Sequence, residues 1–299
     1  MIARGGCSNF RARTAMLDSI AVHIIDSWLS KTTERPLYHY TSQAGFVGIV
    51  QTKTIWATKL QYLSDAAEFA YAIDLFRSEL LALREETRSE NAKRILDMIS
   101  ERLKGIASIN IFVSSFSENG NLLSQWRAYC PSGSGFSLGF DPQDLQVPAR
   151  EQPFFLAACT YDPLQQRAFL KQLLSDTLGA IEKQGGKEEQ RVEDLIWSFY
   201  GLGPLLKNPA FREESEWRIV SNPMPSTHPQ IKSRIGLSML VPYFEFHLTR
   251  NGEPLKLADV YVGPTPHMTL SIQSAADFLS KNAVKNRGVT NCLIPYRTW

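Results

Sequence analysis

Two glutamates at alternate positions are the residues of this sequence best suited to acid–base or charge-stabilising chemistry. Glu214 and Glu216 lie in EESEWRIV (213–220), whose alternation of polar and apolar residues predicts a β-strand. Alternate side chains of a strand share a face, so both carboxylates and Arg218 are expected to point the same way. Two like charges on one face cost free energy unless that face is a solvated edge or lines a cleft. Both alternatives stay open, and Trp217 indicates that the opposite face packs on a core.

A histidine and a threonine at alternate positions form a second candidate. Residues 37–41 (LYHYT) predict a short strand at the front of an apolar run. His39 and Thr41 would share one face of this strand, with Tyr38 and Tyr40 on the other. The alternative is a half-buried histidine whose ring nitrogens bond only to backbone groups.

Aromatic residues lie within and after the next predicted strand, TIWAT (54–58). Trp56, Tyr62 and Tyr71 offer aromatic faces, and Asp65 adds a carboxylate. Pockets that bind flat rings combine aromatic faces with a few polar groups. The alternative is a helix cap at Asp65 and a stripe of aromatic core residues.

Ser115, Ser117 and Arg127 are a further group of polar candidates. Ser115 and Ser117 share one face of the apolar strand INIFVSSFS, and the segment SQWRAY follows. Arg127 offers a planar guanidinium, either to a ligand or as a structural anchor between loops. Trp126 and Tyr129 are expected to be core residues in that second alternative, and the serines can equally be ordinary strand packing.

Hydrophobic periodicity and turn residues predict the elements that must position these side chains. The mixed order of helices and strands favours an α+β fold, with residues 1–35 as a tail and helix and 36–299 as a single domain. A helical insert at about 163–207 interrupts the strands and is the expected position of a lid. The other predicted elements are a helix at 16–30, a helix at 43–52 capped by Ser42, a helical region at about 66–104 broken near Arg88, strands at 109–117, 135–140, 155–162 and 239–248, and a terminal β-α-β unit with its helix at about 268–282.

Composition and motifs narrow the function classes. The chain has 299 residues, 43% of them hydrophobic, and a formal net charge of +2, which neither favours nor excludes a nucleic-acid partner. Four cysteines without a CxxC pair and five scattered histidines argue against a zinc site or a disulfide framework, so no metal is expected. No G-x-G-x-x-G or Walker loop follows a predicted strand. Apolar runs of membrane-spanning length and a signal-peptide core are both missing, which predicts a cytoplasmic protein with no membrane partner.

The motifs together resemble those of an uncharacterised bacterial domain-of-unknown-function family. Its members share Tyr-His-Tyr-Thr, a Leu-Asn-Asp-x-x-Glu-Phe motif, Ser-Phe-Ser, Ser-Gln-Trp-Arg-x-Tyr and Glu-x-Glu-Trp-Arg. The corresponding segments here are YHYT (38–41), LSDAAEF (63–69), SFS (115–117), SQWRAY (124–129) and ESEWR (214–218). Ser64 departs from the pattern by replacing the usual asparagine.

The order of these segments is also similar to that of the ADP-ribosyltransferase fold, in the branch with a His-Tyr-Glu triad. Enzymes of the poly(ADP-ribose) polymerase and diphtheria-toxin type begin with a His-Gly-Ser or His-Gly-Thr strand, onto which His39 and Thr41 fall, with Tyr40 replacing glycine. Their catalytic glutamate begins a late strand, onto which Glu216 falls. The resemblance implies an ADP-ribosyltransferase-like split β-sheet core with helical insertions.

The same resemblance implies NAD as co-substrate and an ADP-ribosyltransferase of the toxin, effector or phage-defence kind. Glu216 would stabilise the oxocarbenium-like centre formed when the nicotinamide–ribose bond breaks. Glu214 would orient or deprotonate the acceptor, which is a protein or a nucleic acid. His39, assisted by Thr41, would bind the adenosine-side ribose.

The remaining ligand contacts are assigned less narrowly. Nicotinamide would stack on an aromatic side chain, for which Trp56, Tyr62 and Tyr71 compete. Arg127 or Arg218 would bind the diphosphate, because a guanidinium matches phosphate oxygens in bidentate fashion. The cofactor-binding residues expected from the sequence are therefore His39, Tyr40, Thr41, Trp56, Tyr62, Asp65, Tyr71, Ser115, Ser117, Arg127 and Arg218.

Two other functions fit the same residues. An NAD glycohydrolase would transfer ADP-ribose to water and deplete NAD. A non-catalytic nucleotide- or nucleic-acid-binding module would use the basic and aromatic residues for phosphate contacts and stacking. Paired carboxylates favour the enzyme, because they would repel phosphates in a simple binder. A regulatory partner is compatible with each alternative.

Overall fold

The computed structural model describes residues 31–63, 66–105, 110–130, 135–184, 187–250 and 252–294. Two predicted features lie outside these residues: the helix at 16–30 and the cap at Asp65.

Ten strands of the described residues form one sheet. In chain order they are β1 (Leu37–Thr41), β2 (Thr54–Lys59), β3 (Phe112–Ser117), β4 (Phe136–Phe140), β5 (Phe154–Ala158), β6 (Glu216–Ser221), β7 (Ile231–Ile235), β8 (Leu240–His247), β9 (Val260–Val262) and β10 (Val289–Asn291). The order is β10-β9-β4-β1-β3-β2-β8-β7, with β6 also paired to β3, and β5 paired to β6. The sheet is mixed, because β9 and β10 are parallel and the other pairs are antiparallel.

Helices cover both faces of this sheet, so the predicted α+β class is confirmed. In the described residues the α-helices are α1 (Gln43–Thr52), α2 (Ala66–Glu86), α3 (Glu90–Leu103), α4 (Leu123–Tyr129), α5 (Pro142–Glu151), α6 (Pro163–Gln184), α7 (Glu188–Leu202) and α8 (Met268–Lys281). Single 3-10 turns occur at Leu60–Tyr62, Gly203–Leu205 and Pro209–Glu214.

Elements with strong local signals match their predictions. The predicted strand at 37–41 is β1, and α1 begins after Ser42, whose hydroxyl accepts a hydrogen bond from the Gly45 amide at 3.1 Å. The helical region breaks between α2 and α3, where the Ser89 hydroxyl caps the second helix by accepting from the Ala92 amide. The terminal β-α-β unit is β9, α8 and β10.

Other predictions were wrong or incomplete. The predicted strand 213–220 begins only at Glu216, because Glu214 belongs to a 3-10 turn and Ser215 has a left-handed backbone (φ 41°). Three elements were missed: α4 is too short for periodicity, α5 contains Pro148, which argues against a helix, and β7 is an exposed edge strand rich in polar residues.

The edge of β3 that faces β1 and β2 is split between those two strands. β6 pairs with one edge of β3 from Val113 to Ser117. On the opposite edge, β2 pairs at Phe112 and Val113 and β1 pairs only at Ser117. No described strand pairs with this edge between Val113 and Ser117. The sheet therefore opens here into two halves joined through β3.

Side chains on one face of the sheet build a continuous apolar core, and the other face is divided. The first core includes Phe116, Trp217 and Phe244 and is covered by α1, α5 and α8. On the opposite face, α2, α3, α6 and α7 cover one half of the sheet. A smaller apolar cluster around Trp126 of α4 covers the other half. The gap between these two groups of helices lies above the stretch of β3 between its pairings with β2 and β1.

The helical insert belongs to the core rather than standing apart from it. Apolar side chains of α6 and α7 are buried against α2 and α3, including the stacked rings of Phe76 and Phe199 at 4.4 Å. The chain then returns through Gly203–Leu205 to the sheet, where the Lys207 amide donates to the Thr160 carbonyl. The insert thus ends beside the residues that follow β5, and the Lys207 side chain bonds to Glu216 of β6.

The central position of Phe116 yields a stability prediction. Its ring is buried and packs edge-on against Phe140 at 5.9 Å. Replacing Phe116 with alanine leaves a cavity and should lower the free energy of unfolding by about 3–5 kcal/mol in urea denaturation. The control Leu164→Ala removes a side chain that is 78% exposed and should change it by less than about 0.5 kcal/mol. Equal effects of the two variants would contradict this packing.

Candidate functional site

A cavity of about 320 Å³ occupies the gap above the split sheet. Its volume falls at the lower end of the range for small-molecule pockets. The strand register explains its composition: Tyr38 pairs with Ser117, Ser117 with Glu216, and Ser115 with Arg218, so these side chains share one face. Nine residues predicted from the sequence line it: His39, Tyr40, Trp56, Tyr62, Ser115, Ser117, Glu214, Glu216 and Arg218.

Four charged side chains form a compact cluster beside the cavity, and three of them, Glu214, Glu216 and Arg218, line it. Arg218 donates from Nε to Oε1 of Glu216 at 2.8 Å and from Nη2 to Oε2 at 3.0 Å. Lys207 donates to Oε2 of Glu216 at 2.5 Å and also to Oε2 of Glu214. Arg218 further donates from Nη1 to the Pro204 carbonyl at 2.6 Å. Two carboxylates and two cations thus neutralise one another, with Lys207 shared between the glutamates.

This cluster lies inside the sheet. β6 is flanked by β3 and β5, and all six of its residues are buried. The alternative of an exposed acidic edge strand is therefore wrong. Burial acts to raise the pKa of Glu216, but the charges of Arg218 and Lys207 outweigh it and lower the pKa to about 2. Glu216 is therefore ionised throughout the physiological range.

The backbone of Lys207 is held by a chain of hydrogen bonds. Gln166 is fully buried and donates from Nε2 to the carbonyls of Thr160 and Lys207, at 2.7 and 2.8 Å. The Tyr71 hydroxyl donates to Oε1 of Gln166 at 2.7 Å. Tyr71, a candidate to stack on a ligand, does not line the cavity and acts instead in this support.

His39 reaches the cavity through the split between β1 and β3. Its Nδ1 lies 3.0 Å from the Ser115 carbonyl, and its ring lies 5.6 Å from that of Phe116. A carbonyl oxygen only accepts, so Nδ1 carries the proton. Burial lowers the pKa of His39, against the opposing effect of the Ser115 carbonyl, and favours the neutral ring. Nε2 is then an acceptor, and no described residue bonds to it.

Tyr40 and Ser117 hold the loop beside the cavity. The Tyr40 hydroxyl donates to the Asn119 carbonyl at 2.7 Å and accepts from the Leu122 amide at 2.8 Å. The Ser117 hydroxyl donates to the Glu214 carbonyl at 2.7 Å and accepts from the Asn119 amide at 3.0 Å. Both hydroxyls therefore hold backbone segments in place. Tyr40 holds the start of α4, and Ser117 links the turn that contains Glu214 to β3.

Three partly exposed aromatic side chains form a wall of the cavity. Trp56 is 49% exposed, Tyr62 36% and Tyr129 39%, although most aromatic residues of the described chain are buried. Trp56 also packs on Tyr243 at 4.5 Å, which fixes its ring. Partial burial and then the charges of Glu216 and Glu214 raise the pKa of Tyr129 to about 12, so its hydroxyl keeps its proton. This wall can stack against a flat ring.

Several predicted site residues do not join the cavity. Thr41 lies at the end of β1, where its hydroxyl packs against Gly45 at the start of α1. Arg127 is exposed and is not part of the cavity lining. Asp65 lies outside the described residues. Arg218 lines the cavity, but its guanidinium bonds to Glu216 and Pro204, which disfavours a diphosphate contact.

Sequence reasoning missed Lys207, which pairs with Glu216, and several cavity residues, among them Gln125, Tyr129 and Arg234. Lys207 gave no signal, because it is brought to Glu216 by the fold after an insert of helices. Gln125 and Tyr129 lie four positions apart on α4, so both face the cavity. Of the alternative that placed Trp126 and Tyr129 in the core, only the part about Trp126 holds. Arg234 lies on β7, which was not predicted as a strand.

Two negative observations apply to the described residues. They contain no group of three or more histidine, cysteine or acidic side chains that could hold a metal ion. None of their helices is long and apolar enough to cross a membrane.

Comparison with known proteins identifies one similarity. Residues 125–219, from α4 to β6, match a family described as "Protein of unknown function (DUF2971)". No curated protein and no solved structure matches the chain. The matched segment includes Tyr129, Lys207, Glu214, Glu216 and Arg218 but not His39. The description of the family does not mention ADP-ribosyltransferases.

The shared cation leads to a stability prediction. Replacing Lys207 with methionine would leave two carboxylates in the buried cluster with one cation, and should lower the free energy of unfolding by about 3–5 kcal/mol. Lys171→Met is a matched control, since Lys171 pairs with Glu86 at 3.0 Å on the surface and should contribute less than about 1 kcal/mol. Urea denaturation distinguishes the two. A Lys207 variant as stable as the control would contradict the cluster.

The ionisation of Glu216 gives a pH prediction. Its pKa in the folded protein is about 2, against an ordinary value of 4.5. A lowered folded-state pKa stabilises the protein above the ordinary value, and that stabilisation is lost as pH falls towards the folded value. The stability difference between wild type and Glu216→Gln should therefore be constant above pH 4.5 and shrink by about 3 kcal/mol between pH 4.5 and 2. A difference independent of pH over that window would overturn this assignment.

Proposed function

We propose that the cavity binds NAD and that the protein is an NAD-dependent ADP-ribosyltransferase. One observation carries the proposal: an ionised, buried carboxylate, Glu216, lies in the same cavity as a wall of partly exposed aromatic side chains. The division of the sheet between β1 and β2 above β3 supports the split core implied by the sequence resemblance. The class of toxin, effector or defence enzyme belongs to the same proposal.

The proposed reaction breaks the bond between nicotinamide and ribose. Nicotinamide leaves with the bonding electrons, positive charge develops on the ribose carbon and its ring oxygen, and a nucleophile of the acceptor forms the new bond and loses its proton. Glu216 is ionised before the reaction, so it can stabilise that charge without a change in protonation. Glu214 has the more exposed carboxylate of the pair, 16% against 6%, and would receive the acceptor's proton.

The other cavity residues would position NAD. Neutral His39 would accept a hydrogen bond at Nε2 from a hydroxyl of the adenosine-side ribose, since its Nδ1 proton is engaged by Ser115. Nicotinamide would stack on Trp56, Tyr62 or Tyr129. Tyr129 replaces Tyr71 in this set, because Tyr71 supports the backbone beside Lys207.

A second candidate function is a nucleotide-binding module without chemistry. The observation in its favour is the one-to-one neutralisation of Glu214 and Glu216 by Lys207 and Arg218. Carboxylates already paired with cations attract a developing positive charge less strongly, and they repel phosphate less strongly too. The two candidates therefore differ in whether NAD is cleaved or only bound.

Nicotinamide release distinguishes these candidates. The purified protein should release nicotinamide from NAD, and Glu216→Gln should slow release by about a hundredfold or more, because charge stabilisation at the ribose is lost. Glu101→Gln is the control, since Glu101 is exposed and pairs with Lys104 on the surface of α3. Circular dichroism and urea denaturation check that each variant is folded.

The fate of the ADP-ribose group decides the acceptor. With NAD labelled on its adenylate part and cell lysate present, label on protein or nucleic acid identifies a transferase. Label found only in free ADP-ribose identifies the NAD glycohydrolase alternative. Folded wild-type protein that binds ADP-ribose but releases no nicotinamide, with or without lysate, would contradict the enzyme and favour the binding module.

A further inference from the structure

Arg234 contributes a cation to the cavity. It lies on β7, where the register pairs it with Val241 of β8. Its side chain lines the cavity, and its Nε is buried without a hydrogen-bond partner. No described carboxylate forms an ion pair with it. The neighbouring Lys232, on the same face of β7, instead pairs with Glu245 at 2.7 Å.

The charge balance of the cavity makes Arg234 distinctive. Glu214 and Glu216 are matched by Lys207 and Arg218, so the cluster is neutral. His39 is neutral because burial lowers its pKa. Among the described charged side chains that line the cavity, Arg234 is therefore the one without a paired carboxylate. A partly buried guanidinium without an acceptor costs free energy, which an anionic ligand would recover.

Gln125 supplies an independent observation in the same cavity. Its side chain is only 7% exposed, lines the cavity, and forms no hydrogen bond with any described residue. Buried amides are ordinarily hydrogen-bonded, so an unpaired one facing a cavity indicates a missing polar partner. A phosphate-bearing ligand with sugar hydroxyls could accept from Arg234 and also bond to this amide.

We propose that Arg234 is the phosphate-binding residue of the cavity and that the ligand is a nucleotide with a phosphate or diphosphate group. The planar guanidinium would donate two parallel N–H groups to phosphate oxygens while the base or nicotinamide ring packs on the aromatic wall. The assignment rests on the proposed function in that it concerns the same cavity. It moves the diphosphate from Arg127 and Arg218, the residues expected from sequence, to β7.

Calorimetric titration with ADP-ribose, ADP, adenosine and inorganic phosphate tests this assignment. ADP-ribose and ADP should bind the wild type, and Arg234→Met should weaken both by about tenfold to a hundredfold, the cost of one charge-assisted contact. Adenosine, which has no phosphate, should bind both proteins equally. Lys232→Met removes a cation from the same strand and should leave affinity within about twofold. Arg234→Lys should restore part of the loss.

The outcomes separate this proposal from the enzymatic one. Equal ADP-ribose affinity in the wild type and Arg234→Met, or no binding of ADP-ribose and ADP to the folded wild type, overturns the phosphate assignment. Binding of inorganic phosphate alone, without the nucleotides, also overturns it, because the ligand would then be a simple anion. Loss of affinity in Arg234→Met without nicotinamide release by the wild type supports Arg234 and contradicts the transferase.

Discussion

The contact between Glu216 and its two cations is the interaction on which the centre of this protein depends. An ionised carboxylate in the interior of a sheet is tolerated only when its oxygens are fully engaged. Arg218 comes from the same strand, two residues away, but Lys207 arrives from the end of the helical insert. Three features bring the members of this cluster together. They are the helical insert that ends at Lys207, the hydrogen bonds of Gln166 and Tyr71 that hold its backbone, and the left-handed turn at Ser215.

The second constraint is the split in the sheet. If β1 and β2 formed one continuous strand along β3, side chains above β3 would pack as an ordinary core. Because they part, His39 enters the gap and satisfies the Ser115 carbonyl. The helices α2, α3, α6 and α7 on one side and α4 on the other do not meet above this gap. A cavity lined by polar and aromatic side chains therefore lies over Ser115 and Glu216. The pairing of β3 with two separate strands therefore determines both the shape of the sheet and the position of the cavity.

Local signals in the sequence predicted much of this arrangement. Period-two alternation and the Ser42 cap located β1 and α1, and the alternation of EWRIV placed Glu216 and Arg218 on one face. The sequence could not predict long-range partners: Lys207 and Arg234 have no local pattern that links them to Glu216. It also overstated Thr41, Tyr71 and Arg127, because residue type and spacing do not tell whether a side chain faces a cavity, a neighbouring glutamine or solvent.

The proposed roles of the charged and aromatic groups all require a dinucleotide to bind in this cavity. A crystal structure with an NAD analogue whose nicotinamide–ribose bond cannot be cleaved tests this requirement most directly. We expect the diphosphate at Arg234, a ring against Trp56, Tyr62 or Tyr129, and the nicotinamide-side ribose within hydrogen-bonding distance of Glu216 or Glu214. A ligand bound elsewhere, or a cavity that stays empty at saturating analogue, would contradict it.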